Sequence, residues 1–205
     1  MSQRYHYIIR RTHSFMGIFP IGIFLMAHLF INSFAFRGPE AYNNVINLLH
    51  EIAILPYLEL LVIGLPIAYH ALYGIWIVYV TKSNMLQYRY YRNWMFYLQR
   101  VTAIITLFFV GWHAWVLRIS RIFDGSEMSF SVVSGWLSDP VYFALYTVGY
   151  LAAIFHFSNG LWSFLVTWGI TIGPESQKFS SYVCALVFAV ISVIGISGLC
   201  VFTQF

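Results

Sequence analysis

Between Asp139 and Glu175 the chain carries no charged side chain, and four other apolar stretches interrupt its polar positions. A helix rises ~1.5 Å per residue, so about 20 apolar residues cross the ~30 Å hydrocarbon layer of a membrane. Five stretches reach that length, at about residues 14–36, 56–80, 98–117, 140–172 and 180–202. Barrel strands would alternate apolar and polar positions, which these stretches do not, and an open sheet would leave backbone groups unpaired in lipid. The pattern therefore predicts an all-α membrane bundle of five transmembrane helices. Pro56 and Pro140 fit first-turn positions, and Gly173 with Pro174 is expected to stop the fourth helix. Pro20 and Pro66 fall inside spans and predict kinks. No linker or low-complexity segment divides the chain, so residues 1–205 read as one domain.

Composition strengthens the membrane assignment: 60% of residues are hydrophobic and 9% charged, more apolar surface than a soluble domain of 205 residues could bury. The net charge of +4 comes from basic residues in short loops, which suits lipid head groups and orientation and gives no support to nucleic-acid binding. Arg4, Arg10, Arg11, Lys82, Arg89, Arg92, Arg100 and Lys178 fall on one side, and Arg37, Arg118 and Arg121 on the other. The N-terminus is then expected in the cytoplasm and the C-terminus outside. Arg10 and Arg11 precede an apolar run without a small-residue cleavage pattern, so no cleavable signal peptide is expected. Cys184 and Cys200 lie on one predicted helix, roughly 24 Å apart, too far to pair.

The histidines change the picture most. His28, His70, His113 and His156 occur one per span in the first four helices. A lone histidine in a helix is more often a polar contact between helices, but four at matched positions point to a shared task. Counted at ~1.5 Å per residue from the nearest charged marker on the outer side, His28 lies roughly 14 Å deep and His113 roughly 8 Å. On the same scale His70 lies roughly 17 Å deep and His156 roughly 26 Å. Depth thus sorts them into an outer pair and an inner pair. Two imidazoles facing each other across a bundle can ligate one haem iron axially, so two pairs imply two b haems stacked across the membrane. With both axial positions filled by protein, electron transfer is the expected task. Gly74 follows His70 by four residues, as Gly160 follows His156, leaving room for a flat group. Zinc would need further ligands beside these histidines. A histidine proton relay in a secondary transporter stays open, although broken-helix pairs in two related halves are not evident.

The runs RTHSFMGIFPIGIFLMAHL (residues 11–29), YRNWMFYLQR (91–100) and FHFSNGLWSFLVTWGIT (155–171) resemble the cytochrome b subunit of succinate:menaquinone oxidoreductases, within the succinate dehydrogenase/fumarate reductase family. The likeness is to the single-subunit, dihaem type of Gram-positive bacteria and covers nearly the whole chain. It implies a multi-pass subunit of the bacterial cytoplasmic membrane that anchors a flavoprotein (FAD) and an iron–sulfur protein, which carry the dicarboxylate chemistry. Menaquinone is the implied electron partner. The resemblance implies that His70 and His156 hold an inner, higher-potential haem, and His28 and His113 an outer, lower-potential one. It also implies that His13 and Ser14 lie near the inner propionates, although Ser14 alone would suit a helix cap. Glu51, in the acidic connection after the first span, matches a quinone-associated glutamate of relatives. Some relatives carry an intramembrane glutamate two residues before the fourth-span histidine; here that position is Ile154, which speaks against a proton route there. The alternatives are a fumarate reductase cytochrome b, or that of a formate dehydrogenase or hydrogenase.

Overall fold

A computed structural model describes residues 3–204, so Met1, Ser2 and Phe205 of the expected domain, and the side chain of Arg4, lie outside the described residues. The elements are α1 (Gln3–Ile18), α2 (Pro20–Asn32), α3 (Pro39–His50), α4 (Leu55–Leu58), α5 (Leu65–Val80), α6 (Tyr91–Ala114), α7 (Ser120–Asp124), α8 (Phe130–Leu137), α9 (Pro140–Thr167) and α10 (Pro174–Val201). Together with short 3₁₀ and π turns they form five apolar spans: Tyr5–Arg37, Leu55–Val80, Tyr91–Asp124, Pro140–Thr167 and Pro174–Val201. The fold is all-α, with no strand among the described residues. Large apolar side chains face outward along the spans, among them Phe30, Leu72, Phe108 and Leu186. In water this surface would be a liability; in lipid it is the stable arrangement.

Several helix ends differ from those the hydropathy pattern predicts, each for a local reason. The first helix begins at Gln3 rather than near residue 14, which puts Ser14 in mid-helix and removes its role as a cap. The fourth stops at Thr167, not at 172. Gly169 adopts φ +70, its N–H reaches Val166 O, and the Ile170 N–H reaches Leu165 O at 2.9 Å. That pair of bonds is a left-handed glycine stop, so Gly173 instead begins the fifth helix, which starts at Pro174 rather than 180. Asp139 caps α9 as its Oδ1 accepts from Val141 N–H at 2.7 Å.

Both mid-span prolines coincide with irregular backbone. The first span breaks at Phe19, with α2 starting on Pro20. Before Pro66, residues Glu59–Gly64 widen into a π turn, in which Leu65 N–H bonds Leu60 O. A second π turn, Trp115–Ile119, lengthens the third span beyond the expected residue 117. The two meet: the Arg118 Nη2 and Nε donate to Glu59 Oε2 at 2.7 and 2.9 Å.

Packing centres on α9, which lies against α6 and α10 and also meets α1. At the end bearing the acidic loops, α3 and α8 fold over the bundle, and Tyr42, Phe130, Leu137, Tyr146 and Phe202 form a buried core. Burial pushes the Tyr42 hydroxyl up to about 12. At the opposite, basic end, Trp162 Nε1 donates to Gln177 O at 3.0 Å and Arg92 lies 3.5 Å over the Trp162 ring, joining the third, fourth and fifth spans. Gly149 lets α9 approach α6 so closely that an added Cβ would run into the Phe109 ring. Gly149→Ala is therefore expected to cost about 1–3 kcal/mol by overpacking. Gly111→Ala, with open space around it, is expected to leave thermal stability in detergent near wild type. Equal melting temperatures for the two variants would contradict this packing.

Candidate functional site

Four helices deliver four histidines to the bundle interior. His70 on α5 and His156 on α9 have ring centres 6.1 Å apart, with planes crossing at 85°. His28 on α2 and His113 on α6 have centres 5.7 Å apart, crossing at 89°. Both pairs line one continuous cavity of about 2400 Å³, together with His13 and Ser14. Ligand pockets commonly measure ~300–1,000 Å³, so this space can take more than one large flat group.

The pair nearer the basic end is held by backbone. His70 Nδ1 lies 3.0 Å from His13 O, and His156 Nδ1 lies 3.1 Å from Gln99 O. A carbonyl only accepts, so each Nδ1 carries the proton and each Nε2 keeps its lone pair. Helical carbonyls are normally shielded by the residue one turn on. Here those residues are Gly17 and Ala103, and a Cβ on Gly17 would stand 2.6 Å from His70 Cε1. Small side chains thus let an imidazole reach a carbonyl that already serves its own helix. His13 stacks on His70 at 4.0 Å and 7°, and its Nε2 is buried without a partner. Gly74 lies beneath it, 3.5 Å from that same atom to an added Cβ.

The pair nearer the acidic end is held by rings. Phe24 packs 5.6 Å from His28, and Phe109 and Tyr146 lie 5.6 and 5.7 Å from His113. Asn32 Nδ2 donates to His28 O at 2.8 Å and lies 3.3 Å from His28 Nε2. His113 Nδ1 is buried without a partner. An unpaired buried imidazole nitrogen costs about 1–3 kcal/mol, and such a group is often retained for a function.

Metal–imidazole bonds of about 2 Å on opposite sides of one ion put ring centres about 6 Å apart, close to what both pairs show. Among the described residues no three or more His, Cys, Asp or Glu side chains come together as a metal site, so a cage of protein ligands is not offered. The arrangement suits an ion that brings its own equatorial ligands, as a haem does. Charged groups stand at both ends of the cavity: Arg100 at the basic end, with Nε buried and unpaired, and the Glu59–Arg118 pair at the acidic end. Glu51 is exposed just after α3 and does not line the cavity, whereas its neighbour His50 does. Ile154 is fully buried and itself carries no titratable group.

Sequence reasoning passed over Gln99 and Asn159, which both bond near His156. Their signal was available: each is an uncharged amide inside an apolar span, and Asn159 lies three residues after His156. Gly17, whose bare surface seats His70, gives no such signal in the sequence.

Two comparisons bear on this site. Residues 80–196 match the family described as succinate dehydrogenase/fumarate reductase transmembrane subunit. The chain is also 47% identical over 202 residues to the succinate dehydrogenase cytochrome b558 subunit of Bacillus subtilis (strain 168), an alignment covering 98% of this chain and all of that protein.

The seat of His70 can be tested by filling it. Gly17→Val is expected to force His70 off His13 O, with overpacking of about 1–3 kcal/mol, and to lower the haem bound per chain. Pyridine-haemochrome analysis against polypeptide concentration measures this. Undiminished haem would show that the Gly17 surface does not seat a ligand.

Proposed function

Because the chain belongs to the succinate dehydrogenase/fumarate reductase transmembrane subunit family, we propose that it is the dihaem cytochrome b that anchors succinate dehydrogenase and carries electrons to menaquinone. Residues 1–205 act as one domain in this role. The observation that carries it is the two facing histidine pairs, at 6.1 and 5.7 Å, in one cavity that runs between the ends of the bundle. His70 and His156 would hold one haem b and His28 and His113 the other, and the bound haems would supply reversible one-electron transfer. His13 and Ser14, which line the cavity beside His70, serve the propionates of the first haem. Arg100 supplies a cation at the same end.

The chain's own residues determine direction and insulation. Backbone carbonyls keep the protons of His70 and His156 on Nδ1, so the ligating nitrogens stay free of them. Tyr42, Phe130, Leu137 and Phe202 close the acidic end against water. The basic end, built from residues 4–13 and 82–100, faces the cytoplasm and docks the iron–sulfur subunit, which joins the FAD flavoprotein. Menaquinone is reduced at the acidic, outer end. Glu51 exchanges protons with it there, one residue beyond His50 at the cavity lining. Ile154 offers no carboxylate to return protons through the membrane.

This orientation makes the membrane potential part of the driving force. One charge crossing the membrane is worth about 2.3 kcal/mol per 100 mV, so two electrons moving outward gain up to ~4.6 kcal/mol per 100 mV. That gain helps electrons reach a quinone of low potential. A succinate dehydrogenase rather than a fumarate reductase, formate dehydrogenase or hydrogenase is favoured by the 47% identity to a succinate dehydrogenase subunit.

Redox titration of the purified complex is expected to resolve two b haems with distinct midpoints; one haem per chain would refute the pairing. In sealed vesicles of known orientation, an imposed potential, positive outside, is expected to accelerate succinate:menaquinone turnover. Glu51→Gln is expected to slow it. Turnover indifferent to the potential would remove the transmembrane route, and normal quinone kinetics in the variant would remove only Glu51.

A further inference from the structure

A ligating imidazole is defined by where its far nitrogen points and what that nitrogen bonds. For His70 a single backbone carbonyl does this work. His156 has more around it. Its Nδ1 lies 3.1 Å from Gln99 O and 3.2 Å from Gln99 Nε2, and Gln99 Nε2 also donates to His156 O at 3.0 Å. The way the Gln99 amide faces is itself fixed. Asn159 Nδ2 donates to Gln99 Oε1 at 2.7 Å and to Met95 O at 3.2 Å, which engages Oε1 as acceptor and turns Nε2 toward His156. Gly160 gives this amide room, since a Cβ there would stand 3.4 Å from Gln99 Nε2.

We propose that Gln99 and Asn159 form an amide clamp that positions His156 and sets the redox potential of the haem it ligates. This rests on the bis-histidine reading above. The clamp ties α6 to α9 at the ligand's own main chain, and the ring cannot turn without breaking its Nδ1–H bond to Gln99 O. It also places an N–H donor, rather than an acceptor, beside Nδ1. An added acceptor at that point would pull on the Nδ1 proton, make the imidazole a stronger electron donor and favour the oxidised iron. The donor therefore keeps the potential of this haem higher than the carbonyl bond alone would. The His28–His113 pair has no counterpart, because Asn32 contacts His28 on Nε2 and its own carbonyl within one helix.

Two variants of nearly unchanged shape change the acceptor count by separate routes. Gln99→Glu replaces the N–H donor beside Nδ1 with a carboxyl oxygen. Asn159→Asp removes both donations and sets an oxygen against Gln99 Oε1, so that the Gln99 amide turns and presents its own oxygen to Nδ1. Each is to be measured in the assembled complex by redox titration and low-temperature EPR of the oxidised low-spin signals. The wild type is expected to show two signals and two midpoints, which tests the haem reading itself; if it does not, the clamp falls with that reading. In both variants the midpoint of one haem is expected to drop and its EPR signal to shift, with the other haem unmoved. With two haems present in the wild type, the clamp alone is overturned if both variants keep wild-type midpoints and signals, if the two haems move together, or if both variants lose both haems.

Discussion

A neutral imidazole in the hydrocarbon layer has one nitrogen that must donate and one that must accept, and water is not there to serve either. This requirement organises the bundle. For His70 and His156 the donor is satisfied by carbonyls of α1 and α6 that already belong to a helical ladder. The two rings then line the cavity with their centres 6.1 Å apart. A ring held in this way is of little use as a helix-to-helix tie and well suited to ligate iron. A metal bond at Nε2 would offset the cost of burying rings held in this way, so that cofactor and fold would stabilise one another.

Reaching a carbonyl inside a helix demands close approach, and the glycine and proline positions supply it. Gly17 admits the His70 ring, Gly74 and Gly160 clear space beside His13 and Gln99, and Gly149 lets α9 settle on α6. The irregular backbone before Pro66 and after Ala114 turns two helix segments so that Glu59 and Arg118 pair across the acidic end. That pair is partly exposed, and its worth lies in fixing the geometry of two π turns more than in stability. The two ends of the molecule then differ in kind. Hydrogen bonds hold the histidines near the basic end, and aromatic rings hold those near the acidic end. Different surroundings for the two histidine pairs would give two otherwise alike haems different potentials.

Five spans, with one histidine in each of the first four, were legible in the chain because each is a property of type and period: long apolar runs, and a polar ring at a matched place in four of them. Helix ends were less legible. The fourth span ends at Gly169 rather than Gly173, a choice between two glycines that depends on which one can turn left-handed over the preceding turn. Ser14 has the chemistry of a cap but sits inside a helix, because the basic segment before it continues the α1 ladder. Helices α3 and α8 were hidden because they are short, at 12 and 8 residues, and lie in connections interrupted by charged side chains. The partners of His156 depend on which faces of α6 and α9 meet, and periodicity in one strand of sequence does not report that for Gln99 or Asn159.

The central claim is that paired histidines close both axial positions of each iron. Near-infrared magnetic circular dichroism of the oxidised protein reads axial ligand identity from the energy of the low-spin ferric charge-transfer band. Bis-imidazole bands accounting for all of the bound haem would agree with the two pairs. A high-spin band, or a band of histidine–methionine or hydroxide ligation at either haem, would contradict them.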